Sequence, residues 1–194
     1  MGAAPGVRMT EDEYLAYDAS HEGRHEFIND ELISMAGSSE AHALATANVT
    51  GVLRAALRGS RCRVYSNDLR VHLDETGLYA YPDVSVVCGK AELTNTNPPS
   101  VLNPRLIVEV LSASTEAHDR GPKAAHYRQR ATIEAIVFVS TEQRRVEVFT
   151  RNADGKWTLD EATGGTLAIP RLDLELPLDE VYAGFEELAE NEKA

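Results

Sequence analysis

The sequence predicts a mixed α/β (α+β) domain, and three observations carry that expectation. Residues 84–87 and 106–111 are short apolar runs rich in β-branched side chains with no polar alternation, the pattern of strands covered on both faces. Over residues 40–57, Leu44, Ala47, Val49, Val52, Leu53, Ala56 and Leu57 recur at helical spacing, and Gly59 closes the run. Residues 134–140 and 145–150 form a hairpin through Glu142 and Gln143, with Ile136, Phe138, Val146 and Val148 facing the core. A length of 194 residues, 43% of them hydrophobic, fits one domain over 1–194 with a core of its own.

The remaining elements follow in chain order. Thr10 caps a helix running to about Ala19, and Glu13 completes a capping box. Residues 25–28 and 31–33 make a hairpin around Asn29 and Asp30, without the glycine such turns favour. Strand segments follow at 61–65 and 68–73, with a turn over 74–77. The asparagines and prolines of 93–104 predict a loop with no element of its own. Pro122 is placed as the first residue of a fresh helix reaching about Arg130, because its missing N–H costs nothing there. Residues 157–159 and 166–169 extend the sheet, and 178–190 read as one amphipathic helix with Val181, Phe185 and Leu188 inward, followed by Lys193.

Composition narrows the function. Residues 1–9 lack the basic and apolar regions of a signal peptide, and no apolar run reaches membrane length, so a cytoplasmic protein with no membrane partner is expected. Cys62 and Cys88 stand far apart in strand-like runs and are read as reduced, small apolar side chains. The net charge of −12 argues against a simple nucleic-acid binder. Its distribution softens that objection: residues 1–40 hold 2 basic and 9 acidic side chains, residues 151–194 hold 4 and 11, and residues 41–150 hold 13 and 11.

Each two-sided strand run carries a carboxylate, Asp83 at the head of one and Glu109 inside the other. A lone ionised carboxylate is costly to bury unless it is paired, hydrogen-bonded or on a metal. One divalent cation held by Asp83, Glu109 and the Val110 carbonyl accounts for both acids, and an oxygen-only set selects Mg2+ or Mn2+ over zinc. A solvated turn at Asp83 with Glu109 paired to an arginine is the structural alternative. His21-Glu22-Gly23-Arg24-His25 also matches the zinc-protease pattern, but that chemistry needs a regular helix and Gly23 weakens one.

Taken together, Pro82-Asp83, Glu109-Val110, Ser112-Ala113-Ser114-Thr115, Asp119, Lys123 and Tyr127 resemble the PD-(D/E)xK nuclease superfamily and, within it, the Uma-type restriction-endonuclease family. Residues 24–32, His42 and the strands near Val137 and Val146 extend the likeness over most of the chain. It implies a restriction-endonuclease-like mixed central sheet flanked by helices, DNA as partner, and a homodimer carrying two sites. It also implies metal-dependent hydrolysis by Asp83, Glu109, Lys123 and Glu26, with His42, Asp119 and Tyr127 as accessory positions. The superfamily pattern places lysine two residues after the glutamate. Leu111 stands there, and Lys123 matches the family's displaced lysine. A nuclease fold kept as an inert binding or assembly module is the rival reading.

Overall fold

The computed structural model describes residues 7–35 and 37–191, with side-chain surroundings given through residue 188. Residues 1–6 of the expected leader-free terminus, and Lys193, lie outside the described residues. Along the chain run β1 (Val7–Arg8), α1 (Glu11–Ser20), β2 (His25–Ile28), β3 (Glu31–Ser34), α2 (Glu40–Ala56), β4 (Cys62–Ser66), β5 (Arg70–Leu73), β6 (Leu78–Ala80) and β7 (Val84–Cys88). β8 (Ser100–Val101) and β9 (Leu106–Leu111) precede a helical segment of three pieces: α3 (Glu116–His118), a π-turn (Asp119–Lys123) and α4 (Ala124–Tyr127). The chain closes with β10 (Ala135–Ser140), β11 (Val146–Arg151), β12 (Trp157–Ala162), β13 (Thr166–Ile169), β14 (Leu174–Pro177), α5 (Leu178–Val181) and α6 (Phe185–Asn191).

The central sheet has the order β12-β11-β10-β9-β7-β4 and is mixed, since β9 and β10 run parallel while the other neighbours are antiparallel. Alternation along β9 divides its side chains between two cores. Leu106, Val108 and Val110 join Ala45, Val49 and Leu53 of α2 on one face, while Ile107 and Leu111 join Ala124 and Tyr127 of α4 on the other. That second core also takes Val71, Leu73, Leu78 and Ala80 from a second sheet, ordered β1-β3-β2-β6-β5-β8. Tyr14 of α1 packs on the far side of that sheet against Phe27, Leu32 and Tyr79. The layers are therefore α2, central sheet, second sheet with α4 at its side, and α1. Each fully buried Val, Leu or Ile adds about 1.5–3 kcal/mol relative to exposure.

Local chemistry explains the elements. Thr10 accepts from the Glu13 N–H while Glu13 reaches back to the Thr10 N–H, completing the capping box. Asn29 and Asp30 turn the β2–β3 hairpin with φ of 53° and 64°, a left-handed pair that Asn and Asp tolerate better than other side chains.

Several expectations are corrected. Ala47 and Ala56 of α2 are exposed, and Ala45 takes the core position instead. The 93–104 loop contains β8, which pairs in parallel with β5 because Ser100 is drawn in by Arg70. Pro122 lies inside the helical segment, not at a fresh start; lacking an N–H, it leaves the α register open, and the chain widens to a π-turn there. Residues 166–169 do not extend the central sheet but pair with β14 as a separate hairpin. The last helix is broken by Gly184 at φ 82° into α5 and α6.

The cysteines are also corrected: Cys62 and Cys88 form a disulfide. β4 and β7 pair antiparallel with Cys62 opposite Cys88. The Gly89 N–H donates to Arg61 one step along, so the two cysteines occupy a non-hydrogen-bonded pair, where opposed side chains stand closest.

Candidate active site

Asp83 ends the connection from β6 into β7, and Glu109 sits midway along β9, the adjacent antiparallel strand. Val84 is opposite Val108, so Asp83 and Glu109 reach the same end of the central sheet. Asp83 Oδ2 accepts the Val110 N–H at 2.7 Å, which ties its carboxylate to the residue next to Glu109. The Val110 N–H and carbonyl project from the same edge of the strand, so the carbonyl also faces Asp83. His42, in the first turn of α2, covers this end from one side with Nε2 3.3 Å from Asp83 Oδ2. Burial opposes the His42 charge, yet the bond to Asp83 and the charges of Asp83 and Asp119 push its pKa up.

Lys123 arrives from the opposite face of the sheet. Its ammonium lies 3.0 Å from Glu109 Oε1, 2.9 Å from Glu26 Oε1 and 3.5 Å from Asp119 Oδ1. Glu26, on β2, accepts the Tyr81 N–H at 2.8 Å through the same oxygen and so links the second sheet to the site. The Tyr127 hydroxyl donates to Glu109 Oε1 at 2.7 Å. Lys123, Glu109, Glu26, Asp83 and Asp119 are all buried.

The location of Lys123 explains Leu111. Glu109 and Leu111 share a strand face, and Leu111 fills the apolar core beneath α4. The helical segment lying over that face supplies the ammonium that position 111 lacks. Of the two strand acids, Lys123 contacts Glu109 alone. Asp83 is instead held by His42 and the Val110 N–H, because α2 and α4 cover opposite faces.

The site carries a surplus of negative charge: three buried carboxylates, Glu109, Glu26 and Asp119, surround one lysine, and a fourth, Asp83, lies beside His42. Burial, then the Asp119, Asp83 and Glu26 carboxylates, push Glu109 well above its ordinary pKa, with Lys123 pulling the other way. Burial also works against the Lys123 ammonium, but Glu109, Glu26 and Asp119 overcome it and hold the lysine charged. Burial followed by the Glu109 charge pushes the Tyr127 phenol well up, so it remains a donor.

A hard dication fits this donor set. Asp83 and Glu109 are carboxylates delivered by adjacent strands, Val110 directly follows Glu109 and its N–H bonds Asp83, and the contacts to Glu109 fall on Oε1, leaving Oε2 for a cation. Among the described residues no three His, Cys, Asp or Glu side chains converge as a metal cage, so a backbone or water oxygen has to complete the shell.

The His21–His25 stretch has no helix. α1 ends at Ser20, Gly23 takes φ 103°, and His25 begins β2. His21 Nδ1 bonds the Tyr17 carbonyl and His25 Nδ1 faces Asp18, so the paired face that zinc proteolysis requires is absent.

One cluster escaped the sequence reading. Arg70, fully buried, directs its five N–H groups at Ser100, Tyr14, Asp18, Thr96 and the Pro98 carbonyl. Its partners lie 26 to 56 residues away, and no local signal marks them. A buried run at 70–73 containing an arginine was the one available clue, since a buried guanidinium demands partners.

A mixed sheet with an aspartate and a glutamate delivered to one end by neighbouring strands, and a lysine laid over the glutamate, has the restriction-endonuclease-like architecture. Residues 11–179 match the model of Uma2, described as "Putative restriction endonuclease", and the chain belongs to that family. It is 29% identical over 184 residues to uncharacterized protein slr1290 of Synechocystis, covering 94% of this chain and 96% of that one. A second Synechocystis relative, uncharacterized protein sll1609, is 31% identical over 156 residues, covering 80% and 88%. The crystal structure of a putative nuclease belonging to DUF820 from Anabaena variabilis superposes with a TM-score of 0.70 at 16% identity, covering 90% of this chain and 98% of that one. No helix among the described residues is long and apolar enough to cross a membrane.

Proposed function

We propose that this protein is a magnesium- or manganese-dependent endonuclease that hydrolyses phosphodiester bonds in DNA. The observation that carries the reading is the 2.7 Å bond from the Val110 N–H to Asp83, which brings the two strand carboxylates to one end of the sheet beside a buried, charged Lys123. The family description supports the substrate class. Asp83, Glu109 and the Val110 carbonyl would hold the cation. When bound, it supplies a Lewis acid for the phosphoryl oxygen and lowers the pKa of a water.

The chain's own groups do the rest. Lys123 keeps a positive charge where negative charge develops on the phosphate; its three N–H donors face Glu26, Glu109 and Asp119, so it acts as a fixed charge. Glu26, anchored by the Tyr81 N–H, fixes the Lys123 ammonium in place, and Tyr127 fixes the Glu109 carboxylate. His42 donates to Asp83 and orients it. A homodimer, each subunit cutting one strand, suits a duplex substrate.

The test is plasmid cleavage with thermal unfolding measured alongside. Mg2+ or Mn2+ is expected to raise the wild-type unfolding temperature and to support nicking that EDTA abolishes, while Asp83→Ala shows neither response, because the metal binds the native site alone. A wild type that gains stability from metal yet never cleaves DNA would favour the inert-module reading. Equal behaviour of wild type and Asp83→Ala would remove the metal site.

A further inference from the structure

The far end of α2 carries a charge pattern that the catalytic site does not use. Arg54, Arg58, Arg61 and Arg63 are all exposed, and with Tyr65 they line one open groove between the end of α2 and the edge strand β4. Among the described residues, none of the four forms an ion pair. Eight other arginines do, each lying against an Asp or Glu. In a chain with 31 acidic and 19 basic residues, four neighbouring arginines without a carboxylate repel one another and lack a counter-charge.

The C-terminal end of the helix dipole accounts for Arg54 and Arg58. It does not account for Arg61 or for Arg63, which stands on β4 and bonds the Gly89 carbonyl. The groove is continuous with the site through two elements. α2 begins beside Asp83 at His42 and ends beside the groove, and Ser66 at the other end of β4 pairs with Val84, the residue after Asp83. From His42 to Ala56, where α2 ends, 14 steps of about 1.5 Å span about 21 Å, or about six base pairs of duplex at about 3.4 Å.

We propose that this arginine groove binds the phosphate backbone of a nucleic-acid duplex about six base pairs from the phosphate that would sit at the Asp83 and Glu109 end of the sheet. Guanidinium groups suit phosphate oxygens through paired N–H donors, and the contacts carry no sequence information. The groove supplies in one place the positive charge that the chain as a whole lacks. The proposal rests on the nuclease reading for its ligand, but binding can be measured without hydrolysis.

The experiment is fluorescence anisotropy on a labelled duplex of about 30 base pairs in EDTA, titrated at several salt concentrations. The full-length wild type is compared with the variant Arg54→Gln/Arg58→Gln/Arg61→Gln/Arg63→Gln and with Arg8→Gln/Lys156→Gln as a control for general charge. Because four phosphate contacts are removed, the slope of log affinity against log salt is expected to fall by about three to four units in the first variant. The control is expected to leave it unchanged. An unchanged slope in the groove variant overturns the proposal, as does an equal fall per charge in the control. A groove variant whose sedimentation mass drops while its DNA affinity holds also overturns it, by making the surface a contact between copies of the chain. Wild type that binds in this way and never cleaves with metal would sink the hydrolysis reading while leaving the groove intact.

Discussion

Lys123→Ala is expected to cut DNA cleavage by about 100-fold or more, the scale of losing one preorganised charge stabiliser. Among the described residues Lys123 is the one cation contacting Glu109, and Glu26, Glu109 and Asp119 all converge on its ammonium. The structure adds a second consequence. Removing a buried ammonium leaves three carboxylates facing one another, so the alanine variant should also lose stability, by about 3–5 kcal/mol at the upper scale for breaking a buried ion pair. Added metal should restore part of that loss, because a dication supplies the missing charge. Lys123→Arg keeps the charge but not the compact shape that fits between the three acids, and it is expected to rescue little. Cleavage is therefore measured well below each variant's unfolding temperature, with circular dichroism confirming the fold. An alanine variant that is folded and cleaves like wild type would end the role assigned to Lys123.

Arg70→Met is expected to produce the largest stability loss outside the site, about 3–5 kcal/mol from leaving Asp18 buried without its cation. That is a large share of a typical total stability of about 5–15 kcal/mol. The guanidinium joins α1 through Asp18 and Tyr14, β8 through Ser100, and the preceding loop through Thr96 and Pro98. Its central carbon also lies 4.9 Å from the Tyr79 ring centroid. Urea unfolding reads the loss as a lower midpoint at unchanged slope. Adding Asp18→Leu to Arg70→Met removes the orphaned charge, so the double variant should be more stable than the sum of the single losses predicts. A loss under about 1 kcal/mol in Arg70→Met would show that the network contributes specificity and little stability.

The two cases show what a single chain reveals before folding. Asp83 and Glu109 were legible because one heads and the other interrupts a two-sided apolar strand, where an unexplained carboxylate is expensive. The Thr10–Glu13 cap and the β10–β11 hairpin were legible because their determinants lie within a few residues. Placing Lys123 needed the family resemblance, since a lysine four residues before a tyrosine otherwise reads as a solvated helix face. The Arg70–Asp18 pair and the Cys62–Cys88 bond were not legible. Both depend on strand register and layer order, which bring together residues 52 and 26 apart. The π-turn at Pro122 was missed because a proline suits a helix start as well as a widened turn, and only the continuous segment from α3 to α4 distinguishes them.

The central claim is that Asp83 and Glu109 share one hard cation. Crystals grown or soaked with Mn2+ test it directly through anomalous scattering. The account predicts a single manganese peak bonded to Asp83, Glu109 and the Val110 carbonyl, at about 2.0–2.3 Å for oxygen ligands of a small hard dication. The Lys123 ammonium should remain beside Glu109 without joining the coordination shell. A saturating soak with no peak between these two carboxylates, or with manganese bound only elsewhere, would contradict the account.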